Sequence, residues 1–274
     1  MAWTKKKSNV LTGAAVVALI ATAVAVKLAF FPSLKDACFT MDYRGLQQAP
    51  AGQVVVRPTH FAFLPHSGIR LIGSPRDGGK SRWMMGRNVP LREVMAVAYG
   101  ENPSRVVLPP DASKGNFDFL VTVDGDPQPR WHAVIHRKLG YVAQKEKRDT
   151  DVLALKIVDA RLPGLTVSGA DEKVDVDFND VKLRVRHLPL MVVADERLML
   201  LAEGLGRFLN TPVVDKTGLT NVYNYALAWN VQVKRQLENE TTARAAADKM
   251  LHDLGLGLEP DTAPLEMLVV KKAD

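Results

Sequence analysis

One pattern of residues occurs twice in this chain, about a hundred residues apart. RVVLPPDASKGNFDFLVTV, at 105–123, has the same apolar rhythm as TPVVDKTGLTNVYNYALAW, at 211–229. In both, a short β-branched run is followed by a turn-rich loop and then by a strand of alternating apolar and polar residues. An offset of 106 residues places Val107 on Val213 without a gap. Because identities are few, two unrelated stretches with common α+β periodicities remain the alternative to duplication.

The order of the predicted elements sets the fold class. Each half gives helix, strand, loop, alternating strand, helix and hairpin, which predicts an α+β protein. We expect an N-terminal transmembrane helix followed by two repeated small modules, with mixed sheets and helices packed on them. The predicted limits are 1–31 for a membrane anchor, 32–60 for a spacer, 61–160 for the first module and 161–274 for the second.

Hairpins are predicted at the end of each half. The first covers 141–158 with its turn at 147–151, and the second covers 256–270. The second helical pattern of each half aligns at an offset of 115, which places Gly140 on Gly255. Apolar residues alternate strictly with charged or polar residues over 173–186, which predicts two strands joined by an Asn-Asp turn.

Three helix starts are predicted from capping residues, and for the last helix the expected N-cap is Thr241 or Thr242. Asn88 has the side chain of an N-cap and is followed by Val89 and Pro90, so a helix is expected to begin there. Asp195 is the expected N-cap of a helix that starts at Glu196.

The amino terminus carries a long apolar segment. Residues 10–26 contain no charge, and 28–31 are apolar after Lys27, whose stem lets the ammonium reach the headgroups. About 22 residues therefore contribute to a span, enough for a membrane-crossing helix. The residues predicted to form this anchor include Val10, Leu11, Val16, Leu19, Ile20, Val26 and Phe30.

The orientation of this segment predicts export. Lysines at positions 5–7 precede it, and the positive-inside rule keeps them cytoplasmic. The chain is then a single-pass inner-membrane protein with its bulk in the periplasm. A cleaved signal peptide is the alternative, because 21–23 and 23–25 resemble cleavage sites. The apolar run is longer than the 7–15 residues of a signal peptide, which favours the anchor, and both interpretations export the protein.

Composition narrows the possible partners. Of 274 residues, 47% are hydrophobic and 24% charged, as in globular proteins, and the net charge is +6. No basic run has interleaved aromatic residues, so nucleic acid is not an expected partner. The single cysteine, Cys38, excludes an intrachain disulfide and a cysteine-rich zinc site, and leaves an inert thiol or an intermolecular disulfide.

The most distinctive short stretch is the loop Asp215, Lys216, Thr217 and Gly218. Its structural interpretation is a turn, with a positive φ at Gly218 and side-chain bonds to the nearby backbone. Its functional interpretation is a recognition loop. Nearby Tyr223, Tyr225 and Trp229 alternate along a strand, and core packing is favoured over a binding stripe.

Three further motifs do not predict a site. GSPRDGGKS, at 73–81, has five residues between its glycines where a phosphate loop has four, so a surface hairpin loop is expected. His132 and His136 have metal-ligand spacing but lack the zinc-protease glutamate, and a semi-buried structural histidine is favoured at His136. The acidic cluster at 171–180 lacks the spacing of a calcium-binding EF-hand loop.

The carboxy-terminal half resembles a known family. PVVDKTGLTNVYNYALAW, followed by LGLGLEPDTAPLEMLVV, is similar to the terminal signature of a large family of exported proteins of unknown function, expanded in soil bacteria. The resemblance implies export and supplies no catalytic residue. Some relatives carry this domain beside a membrane metallopeptidase of the sensor type, which implies envelope signalling. The layout also resembles the short N-terminal domains of secretins and TonB-dependent receptors, which are docking modules.

These observations predict a membrane-anchored binding protein of the cell envelope. The expected partner is an envelope protein or a cell-wall component, and no cofactor, metal or catalytic residue is assigned. A hydrolase of an envelope polymer with spatially assembled carboxylates is one alternative, and a sensory ectodomain is another. A cleft with convergent Asp, Glu or His side chains would favour the hydrolase.

Overall fold

A computed structural model of the chain describes residues 39, 43–62, 68–168, 190–228 and 240–273. These residues form several sheets and five α-helices, so the prediction of a mixed α+β fold is confirmed. No helix in these ranges has both the length and the apolar character to cross a membrane. The predicted anchor residues, Cys38, the strand pair at 173–186, the acidic cluster and Trp229 lie outside the described residues.

The chain divides into two compact units that are discontinuous in sequence. One contains the chain up to Val94 together with Ser113–Gly140, and the other contains Met95–Ala112 and Tyr141–Ala273. Helix α2, at Leu91–Tyr99, passes from one to the other. The predicted limits at 60 and 160 are not tested by this division and stay predictions.

The first unit is built on a four-stranded sheet in the order β1-β5-β3-β2, in which all neighbours are antiparallel. Its elements are α1 (Tyr43–Gln47), β1 (Val54–Pro58), β2 (Gly68–Gly73), β3 (Arg82–Pro90), β5 (Asn116–Val121) and α3 (Gln128–Leu139). Both β1 and the buried Leu46 of α1 belong to this unit, so its core extends into the segment predicted as a spacer. The central strand β5 is buried on both faces, because α3 packs on the sheet and the Phe119 ring lies 5.2 Å from that of Trp131.

The second unit contains two sheets. One has the order β7-β10-β8 and the other β4-β11-β6-β9. Its strands are β4 (Val106–Val107), β6 (Tyr141–Ile157), β7 (Thr166–Val167), β8 (Leu190–Glu196), β9 (Val213–Asp215), β10 (Tyr223–Ala228) and β11 (Leu256–Lys272). Helices α4 (Leu198–Leu209) and α5 (Glu240–His252) pack against each other and on β9 and β11, over a core rich in leucine.

The two predicted hairpins are wrong. Residues 141–157 form one continuous strand, and residues 256–272 form another. The two strands pair antiparallel along all 17 residues, from Tyr141 opposite Lys272 to Ile157 opposite Leu256. Pairing partners this distant in sequence leave no local signal, whereas the charged run of β6 and the prolines of β11 are typical of turns. Each half therefore contributes one strand to a shared ribbon.

The three predicted N-caps are wrong as well. Thr241 and Thr242 lie inside α5, which already includes Glu240. Strand β3 continues through Asn88, which has a φ of 53° at an irregularity in the β3–β5 pairing, and α2 begins at Leu91. Strand β8 continues to Glu196, and the N-cap of α4 is Arg197, which has extended backbone and no side-chain capping bond. A run that continues from a strand directly into a helix has no loop to mark the junction, so capping residues were misleading there.

Candidate functional site

The loop Asp215–Gly218 is a turn held by its own side chains. Asp215 Oδ1 accepts hydrogen bonds from the Thr217 amide at 2.9 Å and the Thr217 hydroxyl at 2.7 Å. Thr217 Oγ1 in turn accepts from the Leu219 amide at 3.1 Å, and Gly218 has a φ of 72°. These are the bonds expected of Asx and Ser/Thr turns, and they match the structural interpretation of the loop.

Lys216 ties this turn to the long ribbon. Its amide donates to the Leu155 carbonyl at 3.0 Å, and its ammonium lies 2.6 Å from Asp261 Oδ2. The ion pair lowers the pKa of the Asp261 carboxyl. The polar groups of Asp215, Lys216 and Thr217 are thus engaged within the protein. As a recognition loop the stretch remains a prediction.

The alternating residues of β10 belong mainly to the core. Tyr223, Tyr225 and Leu227 are 4%, 5% and 3% exposed, which agrees with the packing interpretation of this stripe. Tyr225 also lines a cavity, so one member of the stripe has a second possible role.

An apolar pocket lies in the second unit where α4, β10 and α5 meet. Its volume is about 250 Å³. Its lining consists mainly of aliphatic side chains, with one carboxylate and one phenol: Glu196, Leu200, Leu201, Gly204, Leu205, Tyr225, Leu227, Met250 and Leu251. Leu200 is 47% exposed and its neighbour Met199 is 52% exposed, so α4 presents apolar surface outward beside the pocket. Exposed apolar surface at a concave site is typical of a binding surface.

One polar pair marks this pocket. The Tyr225 hydroxyl donates to Glu196 Oε2 at 3.3 Å. Burial, together with the charge of Glu196, raises the pKa of the Tyr225 phenol, so the phenol stays protonated and continues to donate. Glu196 is only half-buried and a carboxylate has several lone pairs, so it can accept further bonds from a ligand. The sequence prediction missed this residue because it placed Glu196 inside a helix.

A second depression, of about 740 Å³, is more polar. It is lined by Val158, Asp159, Arg161, Pro163, His252 and Asp253. Arg161 Nη2 lies 2.7 Å from Asp159 Oδ2, and hydrogen bonds from Arg161 lower the pKa of Asp159 to about 2. An acid this strong remains ionised at neutral pH, so Asp159 does not suit the role of general acid.

A buried carboxylate organises the first unit. Asp118, in the middle of β5, is 0% exposed. It accepts hydrogen bonds from the Thr59 hydroxyl at 2.8 Å and from the amides of His60 and Asn88, both at 3.0 Å. Arg57 Nε lies 3.5 Å from it. The alternation of apolar and polar residues along this strand is typical of a half-buried strand and does not indicate this interaction network.

The remaining motifs have structural settings. Residues 74–81 form the loop of the β2–β3 hairpin, as predicted for GSPRDGGKS, and Asp77 accepts amide bonds from Gly79 and Ser81. His136 is exposed, which corrects its predicted semi-buried position, and His132 is half-buried. Among the residues with described positions, no group of three or more His, Cys, Asp or Glu could hold a metal ion.

The comparisons with known proteins assign a family. The chain is an α+β protein whose known relatives share a domain without an assigned activity: the family model described as protein of unknown function, DUF3738, matches residues 92–273. This is more than half of the chain, so the chain belongs to the DUF3738 family. Comparison with curated proteins gave no match, and neither did comparison with solved structures.

Proposed function

We propose that this protein is a non-enzymatic binding protein of the cell envelope, and that the pocket between α4, β10 and α5 is its binding site. The observation that carries the proposal is an apolar cavity of about 250 Å³ with a single carboxylate, Glu196, beside the exposed side chains of Met199 and Leu200. Apolar anchors surrounded by a few polar groups are the usual basis of specific recognition.

The chemistry of the pocket favours a particular ligand. Its aliphatic wall accepts one apolar side chain, and Glu196 favours a basic group placed next to that side chain. A segment of an envelope protein that presents an apolar residue beside a lysine or arginine fits both features. The Tyr225 hydroxyl holds Glu196 in position while leaving part of the carboxylate accessible.

The binding proposal is tested by filling the pocket. Gly204 is in the interior of α4, and a Cβ built there meets no atom within 4 Å, so Gly204→Leu should occupy the pocket without disturbing the helix. Arg207→Leu, at an exposed position on the same helix, is the matched control. In pull-downs from membrane extracts, quantified by mass spectrometry, Gly204→Leu should remove the specific partners that wild type and Arg207→Leu retain. Glu196→Gln should weaken their capture.

Retention of every partner by Gly204→Leu and by Glu196→Gln would refute the pocket as the binding site. If the captured material were a wall polymer that the protein shortens on incubation, the hydrolase alternative would replace this proposal. The depression around Asp159 and His252 would then be the place to mutate. A sensory ectodomain would be favoured by capture of a membrane signalling protein.

We also propose that residues 1–31 anchor the protein in the inner membrane with the remainder in the periplasm. The support is the apolar segment after lysines 5–7. Alkaline phosphatase fused to the carboxy terminus should be active in intact cells. A fusion that starts at residue 32, without the apolar segment, is the control and should be inactive. An inactive full-length fusion would contradict export.

The duplication is supported by matched strand registers. In β3–β5, Met84 lies opposite Val121, and in β8–β10 Met191 lies opposite Leu227, so the partners are related by offsets of 107 and 106. In the ribbon, β4 pairs parallel with β11 as β9 does with β6. We propose that the two halves arose from one ancestral module and that each passed its last strand into a common ribbon.

The resemblance of the carboxy terminus to an exported soil-bacterial family, with its DKTGL and LEP segments, fits the same proposal. Lys216 of the first segment pairs with Asp261, the residue that directly follows the second segment. Loss of this ion pair would loosen the turn from β11, which gives a physical reason for the two segments to occur together.

A further inference from the structure

One edge of the long ribbon has no described neighbour over half its length. Strand β6 pairs with β11 along one side, whereas on its other side β9 pairs only with Leu153–Leu155. Within the ranges that the structure places, no strand lies on that side of residues 144–151. The side chains of Lys147, Arg148 and Asp149 are exposed there. Open strand edges carry unused hydrogen-bonding groups and pair readily with other strands.

The ribbon register determines which backbone groups face this edge. Asp149 lies opposite Pro264 and Leu153 lies opposite Pro260. Since proline has no N–H, these pairs are of the type whose backbone groups point away from the partner strand. The Leu153 amide does point outward, to the Pro212 carbonyl at 2.9 Å. The odd-numbered residues of β6, including Lys147 and Asp149, therefore present their backbone groups at the open edge.

The order of charges along this edge is complementary to the same order on a second β6 strand that runs in the opposite direction. In an antiparallel pair of β6 strands centred on Arg148, Lys147 lies opposite Asp149 of the second copy, and symmetry repeats the pair. Lys145 and Asp151 face each other in the same way. Opposite charges on directly facing residues stabilise strand pairing. The two Arg148 side chains meet at the axis, and each is already bonded to its own Glu146 at 2.7 Å.

We propose that two copies of this chain associate edge to edge through residues 145–151 of β6, antiparallel and centred on Arg148. The pairing is limited to these residues, because β9 occupies the edge from Leu153 onward. The equivalent edge of β11 does not offer the same interface, because Pro260 and Pro264 stand at its outward positions. Because the same edge of both copies forms the interface, the assembly closes as a twofold dimer and does not grow into a fibre. The inference is independent of the pocket.

A proline substitution tests whether the open edge of β6 forms the dimer interface. Asp149→Pro removes one outward N–H and adds a ring at the interface. Its counterpart at the offset of 115 is Pro264, so the ribbon already accommodates a proline at this position. Sedimentation velocity of the full chain in detergent should give a dimer for wild type and a monomer for Asp149→Pro, with unchanged far-UV circular dichroism. A wild-type monomer at all concentrations, or a dimer in both proteins, would overturn the proposal.

Charge reversal gives a second test if Asp149→Pro does not fold. Lys147→Asp and Asp149→Lys should each lower the association constant of the dimer at least tenfold. Each substitution places like charges on directly facing residues, and the twofold symmetry repeats this repulsion. The double variant restores both pairs and should dimerise as wild type does. Failure of the double variant to recover, with both single variants folded, counts against the register.

Disulfide trapping tests the register directly. In the proposed pairing the two residues at position 148 are a close pair, about 4.5 Å apart between Cα atoms, within the range for a disulfide. In a Cys38→Ser background, Arg148→Cys should cross-link on mild oxidation, and Thr150→Cys should not, because it lies opposite Glu146. Equal cross-linking of both, or of neither, would contradict the arrangement.

Discussion

At the level of single residues, burial decides which charges matter. Asp118 alternates with Phe117 and Phe119, which is the pattern of a half-buried strand, but β5 is covered on both faces. The second cover comes from residues distant in sequence, including Arg57 and Thr59. Burial also lowers the pKa of the Arg87 guanidinium, whereas the charge of Asp118 acts to raise it. The local alternation of apolar and polar residues cannot show that residues distant in sequence bury the second face of β5.

Replacing Asp118 should be costly. Asp118→Ala leaves the amides of His60 and Asn88 and the half-buried charge of Arg57 without their shared acceptor, so we expect a loss of about 3–5 kcal/mol in the free energy of unfolding. Asp118→Asn should lose less, because its carbonyl still accepts. Urea unfolding followed by tryptophan fluorescence measures both changes.

Asp253→Ala, at an exposed position, is the control and should change stability by no more than about 0.5 kcal/mol. A loss below about 1 kcal/mol for Asp118→Ala would show that the interaction network contributes little to the fold.

At the level of elements, the sequence predicted which helices and strands occur better than it predicted where they begin and end. Leu91, Val94, Met95 and Ala98 have the i, i+3, i+4, i+7 spacing of an amphipathic helix, and these residues are buried in α2. The ribbon could not be predicted, because the partner of each strand is in the other half of the chain. Charged residues in the middle of β6 are tolerated there since they are exposed, and Glu146 bonds Arg148 and Lys271 at 2.7 and 2.9 Å.

Acid should weaken the ribbon. Hydrogen bonds from Gln144, Lys271 and Arg148 lower the pKa of Glu146 from 4.5 to about 2 in the folded protein. A lowered folded-state pKa gives stability that is present above the unfolded value and is lost as the pH falls toward the folded one. The melting temperature of wild type should therefore fall between pH 4.5 and about 2 more steeply than that of Glu146→Gln.

Glu203→Gln, at an exposed position of α4, is the matched carboxylate-to-amide control and should follow the wild-type curve. Parallel pH curves for wild type and Glu146→Gln would contradict a role for this cluster in acid stability. Thermal melts over a pH series at constant ionic strength provide the measurement, because salt screens exposed charges.

At the level of the whole molecule, the two halves share one sheet. Sequence patterns predicted the order of elements in each half but could not show whether the halves form one sheet or two. Strand β6 is the last strand of the first half, yet its described strand partners, β9 and β11, come from the second. The pocket was also beyond prediction, since Leu201, Tyr225 and Met250 come from three separate elements.

Separating the halves should therefore prevent folding of the second unit. Residues 1–160 expressed alone lack both strand partners of β6, and residues 161–274 alone lack the central partner of β11. We expect residues 161–274 alone to show no cooperative thermal unfolding, and we expect co-expression to recover a complex in which they unfold cooperatively. Circular dichroism melts of the fragments and of the copurified complex provide the measurement. Cooperative unfolding of residues 161–274 alone would contradict this dependence.

Because side chains alternate between the two faces of the ribbon, its pleat also restricts insertions and deletions in the gene segments that encode the two long strands. Adding or deleting one codon inside β6 or β11 would turn every following side chain to the opposite face and would expose the apolar end of the strand. The offset between the halves changes from 107 to 106 and then to 115 only in the connections between strands and helices. Insertions and deletions among homologous genes should therefore cluster in those connections and spare the 17 codons of each long strand.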